Sequence, residues 1–307
     1  MHMWEDFKNP KTKRDKMDSL LHLYIDGAFD RRELLNRLGK VAGSAAIATT
    51  FFEQSGWAQA VPSACPDGVR VPVDAPDIVA EDIQISGKGG NIFAHLAKPR
   101  ELTEALPAIL NIHENRGLVE HHKDMTRRFA RAGFIGLSID LLSRQGGAHT
   151  IPEAQLTAAY GRTTVDQRLE DMQSALDYLK SEGFVRPGRI GTTGFCAGGA
   201  NVYMLAFNSK DVAAAAPFYG APALPIPDLT NMPALCIFMG DNDPGTNNNV
   251  PAVLAAINAA RKSADIHMWT GARHAFMNDT GAAYNAEAAC LSWDILIRFF
   301  RRELFKP

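Results

Sequence analysis

Residues 191–201 read GTTGFCAGGAN, and within them a cysteine stands between glycines two positions before and two after it, Gly194-Phe195-Cys196-Ala197-Gly198. The apolar run RIGTTGF leads into the cysteine and the helical pattern NVYMLAFN leads away from it. The thiol therefore falls at a sharp strand-to-helix turn, which presents one side chain outward in a strained backbone conformation. Small residues on either side let strand and helix approach without clash. The positive end of the helix dipole favours a thiolate at that spot. The chemistry this suits is nucleophilic attack on a carbonyl carbon. The competing reading is a core cysteine beside packing glycines.

A nucleophile of this kind needs a base and a group to orient the base. After the apolar run PALCIFMG comes Gly240-Asp241-Asn242-Asp243-Pro244, an acidic turn at a strand's C-terminal end. After DIHMWTG comes Gly271-Ala272-Arg273-His274-Ala275-Phe276, a histidine in the next loop. Nucleophile, acid and histidine thus follow one another in a known catalytic order, each after a strand. Asp241 or Asp243 could equally be a turn former, and His274 a surface histidine.

Other groupings carry less. His113, Glu114, His121 and His122 do not make His-Glu-x-x-His, so no metal is implied. Gly87-Lys88-Gly89-Gly90 lacks the Lys-Ser/Thr ending of a phosphate loop and reads as a hairpin turn. Trp269, Phe276 and Trp293 read as core rather than as a ligand cage.

These side chains need a scaffold. The chain has 307 residues, 46% hydrophobic, with a net charge of -2. That length supports one large domain with an added segment. Near-neutral charge gives no basic footprint for nucleic acid, and no apolar stretch reaches bilayer length. Four cysteines, Cys65, Cys196, Cys236 and Cys290, contain no Cys-x-x-Cys pair and give poor support for disulfides.

From residue 78 onward, strands alternate with helices. EDIQIS and NIFAHLAKP predict a hairpin, PAILNIH a buried strand, residues 120–132 a helix and GFIGLSID another strand. TVDQRLEDMQSALDYLKSE places Val165, Leu169, Met172, Leu176 and Leu179 on one helical face. Strands follow at VAAAAPFYG, PALCIFMG and DIHMWTG, with helices at 249–262 and about 283–303. The fold class is α/β, a mostly parallel sheet covered on both faces.

Three segments divide the chain: 1–60, 61–77 and 78–307. The first holds a short helix, DSLLHLYIDG, and a second, DRRELLNRLGKVAGSAAIATTFF, with Asp30 and Glu33 as a capping box. Arg31-Arg32, the mildly apolar stretch after it and Ala58-Gln59-Ala60 also resemble a twin-arginine export signal with its cleavage site. Periplasmic export and a cytoplasmic helical module that docks on the domain or on a second subunit both stay open. The Pro- and Asp-rich 61–77 reads as a linker.

At this point the sequence resembles the dienelactone hydrolase (carboxymethylenebutenolidase) family. The resemblance rests on His113-Glu114-Asn115-Arg116-Gly117-Leu118, Gly194-Phe195-Cys196-Ala197-Gly198-Gly199, Pro217-Phe218-Tyr219-Gly220, Gly240-Asp241-Asn242-Asp243 and Arg273-His274-Ala275-Phe276. It runs from about residue 78 to the C-terminus, and residues 1–60 resemble the export-type leader of one branch of the family. It implies an α/β-hydrolase fold, no cofactor, and a small ester or lactone as substrate. Cys196 would be the nucleophile, His274 the base and acid, and Asp243, with Asp241 as fallback, the orienting acid. Glu114 would hold the resting thiol. Backbone N–H groups of Ala197 and Asn115 would form the oxyanion hole. Arg144 would grip a substrate carboxylate, with Arg116 in support. The second family arginine is here Asn278, a departure that puts dienelactone itself in question. A non-catalytic ligand binder of the same fold is the alternative.

Overall fold

The computed structural model describes residues 31–44 and 70–306, Asn231 excepted, together with a few isolated positions before residue 21. The chain divides into two compact units, Met1–Cys65 and Pro66–Pro307. In the first, a helix spans Arg31–Ala42 (α1). Gly43, at φ 82°, ends it well short of the expected run. The expected short helix, the Asp30 capping box and the Ala-x-Ala site lie outside the described residues. No helix among the described residues is long and apolar enough to cross a membrane.

The second unit opens with a correction. Residues 70–77, expected to be linker, pack onto the domain. Val71 and Ala75 are 1% and 2% exposed and cluster with Ile78, Ala97 and Ala130. Asp124 accepts from the Val71 N–H at 2.6 Å.

The hairpin pairs β1 (Ile78–Gly87) with β2 (Gly90–Pro99), its turn closed by Gly87 opposite Gly90. There follow β3 (Leu106–Ile112), α2 (Glu120–Arg131), β4 (Ile135–Ile139), α3 (Leu156–Gly161) and α4 (Val165–Ser181). Next come β5 (Val185–Phe195), α5 (Ala197–Asn208), β6 (Ala214–Phe218) and β7 (Ala234–Asn242). The remainder is α6 (Pro244–Asn247), α7 (Val250–Ala259), β8 (Asp265–Arg273) and α8 (Ala286–Leu304). All eight strands form one sheet in the order β1-β2-β4-β3-β5-β6-β7-β8. The β1–β2 and β2–β4 pairings are antiparallel, and every pairing from β4 through β8 is parallel.

Strands buried on both faces need apolar cover on both, and crossover helices supply it. On one face, Leu110, Ile112 and Leu137 meet Met172, Leu176 and Leu179 of α4 and Val202 of α5. On the other, Ile109, Phe195, Phe218 and Phe238 meet Phe129 of α2 and Phe300 of α8. Phe276 is fully buried in this second layer, with Trp269 and Trp293 packed against it, as the sequence pattern predicts. A capping box starts α4: Gln167 N donates to Thr164 Oγ1, and Thr164 N donates to the Gln167 side chain. Val165, expected on the buried face of that helix, is 54% exposed, so the apolar stripe begins later.

β3 lies between β4 and β5, so the chain leaves β3 toward one neighbour and returns on its other side. Loops after β3 and β5 diverge at such a point and leave a crevice at the strands' carboxyl ends, where α/β sheets bind ligands. Glu114 follows β3 and Cys196 follows β5.

Candidate active site

Cys196 links β5 to α5 with φ 56° and ψ -118°, a conformation that costs a non-glycine residue roughly 1–3 kcal/mol. Two hydrogen bonds hold it there: its N–H donates to Phe218 O at 3.1 Å and its carbonyl accepts from Ala200 N at 3.2 Å. The flanking glycines account for the closeness of strand and helix. A Cβ on Gly194 would lie 2.6 Å from Gly198 O, and one on Gly198 would meet the carbonyls of Ile112 and His113. The sulfur-bearing residue is half-buried rather than walled into the core, and it is a free cysteine. The second free cysteine, Cys236, is buried. Burial pushes its thiol far above the ordinary range. Cys290 is disulfide-bonded, against the expectation from cysteine spacing.

His274 lies beside Cys196. Its Nδ1 is 2.7 Å from Asp243 Oδ2, which leaves Nε2 for the sulfur. The pairing with Cys196 pushes the imidazole up to about 9, against the pull of burial and with help from Asp243. Asp243 is itself fixed: its side chain caps α6 by accepting from Thr246 N, and Thr246 Oγ1 lies 3.4 Å from His274 Nδ1. Asp241 is exposed and accepts from Gly271 N at 2.7 Å, so its carboxylate ties a turn rather than the imidazole.

Glu114 is 8% exposed. Its Oε2 accepts from Asn278 Nδ2 at 2.8 Å, while Oε1 is buried without a protein partner. Two histidines pin its backbone. His122 Nε2 accepts from Glu114 N at 3.1 Å, and His113 Nδ1 donates to Glu114 O. His113 Nε2 accepts from Leu141 N at 2.9 Å, which fixes the proton on Nδ1. Burial lowers the pKa of His113 and drives that of His122 well below the ordinary imidazole value, keeping both neutral. His113 and His122, which belong to no metal motif in the sequence, hold the backbone of the carboxylate residue. No sequence signal separates these two histidines from others, because their partners are backbone atoms.

The remaining expectations divide. Ala197 N–H is one of the first-turn amides of α5, which have no carbonyl four residues back, and Asn115 is half-buried in the turn after β3. Both fit a pair of oxyanion donors. Arg144, expected to grip a substrate carboxylate, packs its guanidinium on Gly89 of the hairpin turn. There it bonds Asp171 at 2.8 Å and Glu170 at 2.5 Å, both on α4. Arg116 pairs with Glu153. Both guanidinium groups are thus engaged by carboxylates other than Glu114. Asn278 faces Glu114 rather than open space.

Comparison with known proteins follows the same lines. Residues 92–304 match the model of the dienelactone hydrolase family. A Methylorubrum extorquens protein named "Putative carboxymethylenebutenolidase" is 29% identical over 245 residues, 76% of this chain and 84% of that protein. One of the same name from Escherichia coli is 28% identical over 269 residues, covering 83% of this chain and 97% of its own length. Among solved structures, a "Putative Dienelactone Hydrolase" from Klebsiella pneumoniae superposes with a TM-score of 0.67 at 26% identity, covering 73% of this chain and 99% of its own.

Proposed function

The chain belongs to the dienelactone hydrolase family and is a hydrolase of esters or lactones, and from that premise we propose that it works through Cys196 and a thioester intermediate. The observation that carries this reading is the Asp243–His274 hydrogen bond of 2.7 Å, with the imidazole set against a cysteine held at positive φ. Cys196 gives its proton to His274, the resulting thiolate attacks the carbonyl carbon, a C–S bond forms as the carbonyl π bond opens, and the oxyanion rests on the Ala197 and Asn115 amides. Losing one such donor typically costs about 3 kcal/mol of transition-state stabilisation. The tetrahedral species collapses, the C–O bond breaks, and His274 passes its proton to the leaving alkoxide. Water then attacks the thioester, giving a proton to His274, and the acid departs as the thiol is restored. Glu114 is read as the group that meets the resting thiol and helps remove its proton on substrate arrival. Its buried, unpartnered Oε1 supports that role.

The substrate is read as uncharged. Arg144 and Arg116 each already face carboxylates, and Asn278 offers only a neutral amide, engaged with Glu114. The decisive experiment follows hydrolysis of short-chain neutral esters and small lactones, with intact-protein mass taken during turnover of a slow ester. The expected result is an acyl adduct on the parent protein and none on Cys196→Ala, with hydrolysis lost. A Cys196→Ala protein that turns over at the parent rate would refute the proposal.

A further inference from the structure

Two consecutive residues past His274 reach in different directions. Asn278 donates to Glu114, after β3. Its Oδ1 accepts from Thr280 N at 3.0 Å and Thr280 Oγ1 at 2.6 Å, which fixes the amide so that nitrogen faces the carboxylate. Asp279 reaches to α2. Its Oδ1 lies 3.1 Å from His121 Nδ1 and its Oδ2 accepts from Arg128 Nη2 at 2.7 Å. The Asp279 side chain is 8% exposed, and Arg70, largely in solvent, stands 3.8 Å off. Against the pull of burial, the bonds from His121 and Arg128 hold its carboxyl well below the usual carboxylate range. Arg128 also meets Asp124 at 2.5 Å, and the His121 ring lies 5.0 Å from that of His122, which pins the Glu114 N–H.

We infer that Asp279 is a positioning residue whose clamp on α2 sets both His274 and Glu114. The segment it anchors begins at His274, passes through Ala275 at φ 66°, and buries Phe276 and Met277 before the clamp. His274 itself keeps 42% of its side chain exposed. Its position therefore depends on how firmly the loop is tied at both ends. Asp243 holds the imidazole. Asp279 holds the far end, and in doing so presses Asn278 onto Glu114.

This inference rests on the hydrolase reading, so the two are tested apart. Cys196→Ala on a neutral ester tests the reading, and retained turnover would end both. Asp279→Asn tests the clamp, with active molecules counted by stoichiometric alkylation of Cys196. Misplacing a catalytic group by about 1 Å costs up to roughly 100-fold in rate. The expected result is a fall in kcat of about 10- to 100-fold per titrated thiol, with KM changed less than about two-fold. Asn278→Ala lowers kcat too, and the double variant loses little more than the larger single loss, because both act through one tether. His121→Asn, which leaves the Arg128 pair intact, carries the same direction of change if Asp279→Asn does not fold. An Asp279→Asn protein with a lowered melting temperature and parental kcat per thiol would overturn the inference, as would full additivity in the double variant.

Discussion

Replacing Gly194 by alanine puts a methyl group where the elbow has no room. The added carbon would sit 2.6 Å from Gly198 O, 2.7 Å from Gly198 C and 3.0 Å from Ile112 Cβ, whereas ordinary contact begins at 3.4 Å. Two of those three neighbours are backbone atoms of the first turn of α5, so no rotamer change relieves the overlap. Strand and helix must part by about 0.8 Å, and Cys196 lies between them. Overpacking of this kind costs roughly 1–3 kcal/mol of stability. The displacement of the proposed nucleophile approaches the 1 Å that costs on the order of 100-fold in rate. The assay is kcat/KM on a neutral ester, normalised to alkylatable Cys196, beside a denaturant melt. Gly183→Ala is the control, since a Cβ there meets nothing within 4 Å. A Gly194→Ala protein within about three-fold of the parent in kcat/KM, with unchanged stability, would refute the packing argument.

Other outcomes follow from the same contacts. Asp243→Asn removes the group that orients His274, and kcat is expected to fall by about 10³- to 10⁴-fold in steady-state assays. The same variant alters stability with pH. A folded-state imidazole raised from 6.5 to about 9 adds stability that is complete below 6.5 and lost as pH passes 9. Cys196 supplies most of that rise and Asp243 a smaller share, so the melting-temperature gap between parent and Asp243→Asn is expected to be wider near neutral pH, where carboxylate and imidazolium are both charged, than above pH 9. Arg144→Ala strands Asp171, 3% exposed, without its guanidinium. Urea unfolding is expected to show a loss of about 3 kcal/mol, while the rate ratio between a neutral and an anionic ester stays within two-fold. Tyr203 carries a buried hydroxyl with no protein partner, so Tyr203→Phe is expected to hold or raise stability by up to about 1 kcal/mol in the same melts.

The sequence spoke most clearly where chemistry is local. The hairpin glycines, the strand-to-helix glycines about Cys196 and the apolar runs ahead of Asp243 and His274 are all contained in short stretches, and their elements form where the patterns place them. Glu114 was singled out only through resemblance, since a lone carboxylate after a strand carries no signal of its own. What stayed hidden joins residues distant in the chain. Arg144 looks like a free cation until α4 folds against it and brings Asp171 and Glu170, 27 and 26 positions away. Asp279 meets His121 across 158 positions. Residues 70–77 have the composition of a tether, yet α2 supplies Asp124 and Arg127 to bond the Val71 backbone.

The residues proposed for catalysis stand on unequal footings. Cys196 and Glu114 rise from β5 and β3, each flanked by neighbours on both sides, whereas His274 follows β8, which has a partner on one side alone. That outermost strand leaves Ile266 and Met268 41% and 53% exposed. Marginal regions of a protein open before its centre does. On warming, hydrogen exchange should quicken along residues 265–279 while the middle of the sheet is still protected. Heat inactivation would then precede loss of the fold, and cooling would restore the imidazole to a thiol that had never moved.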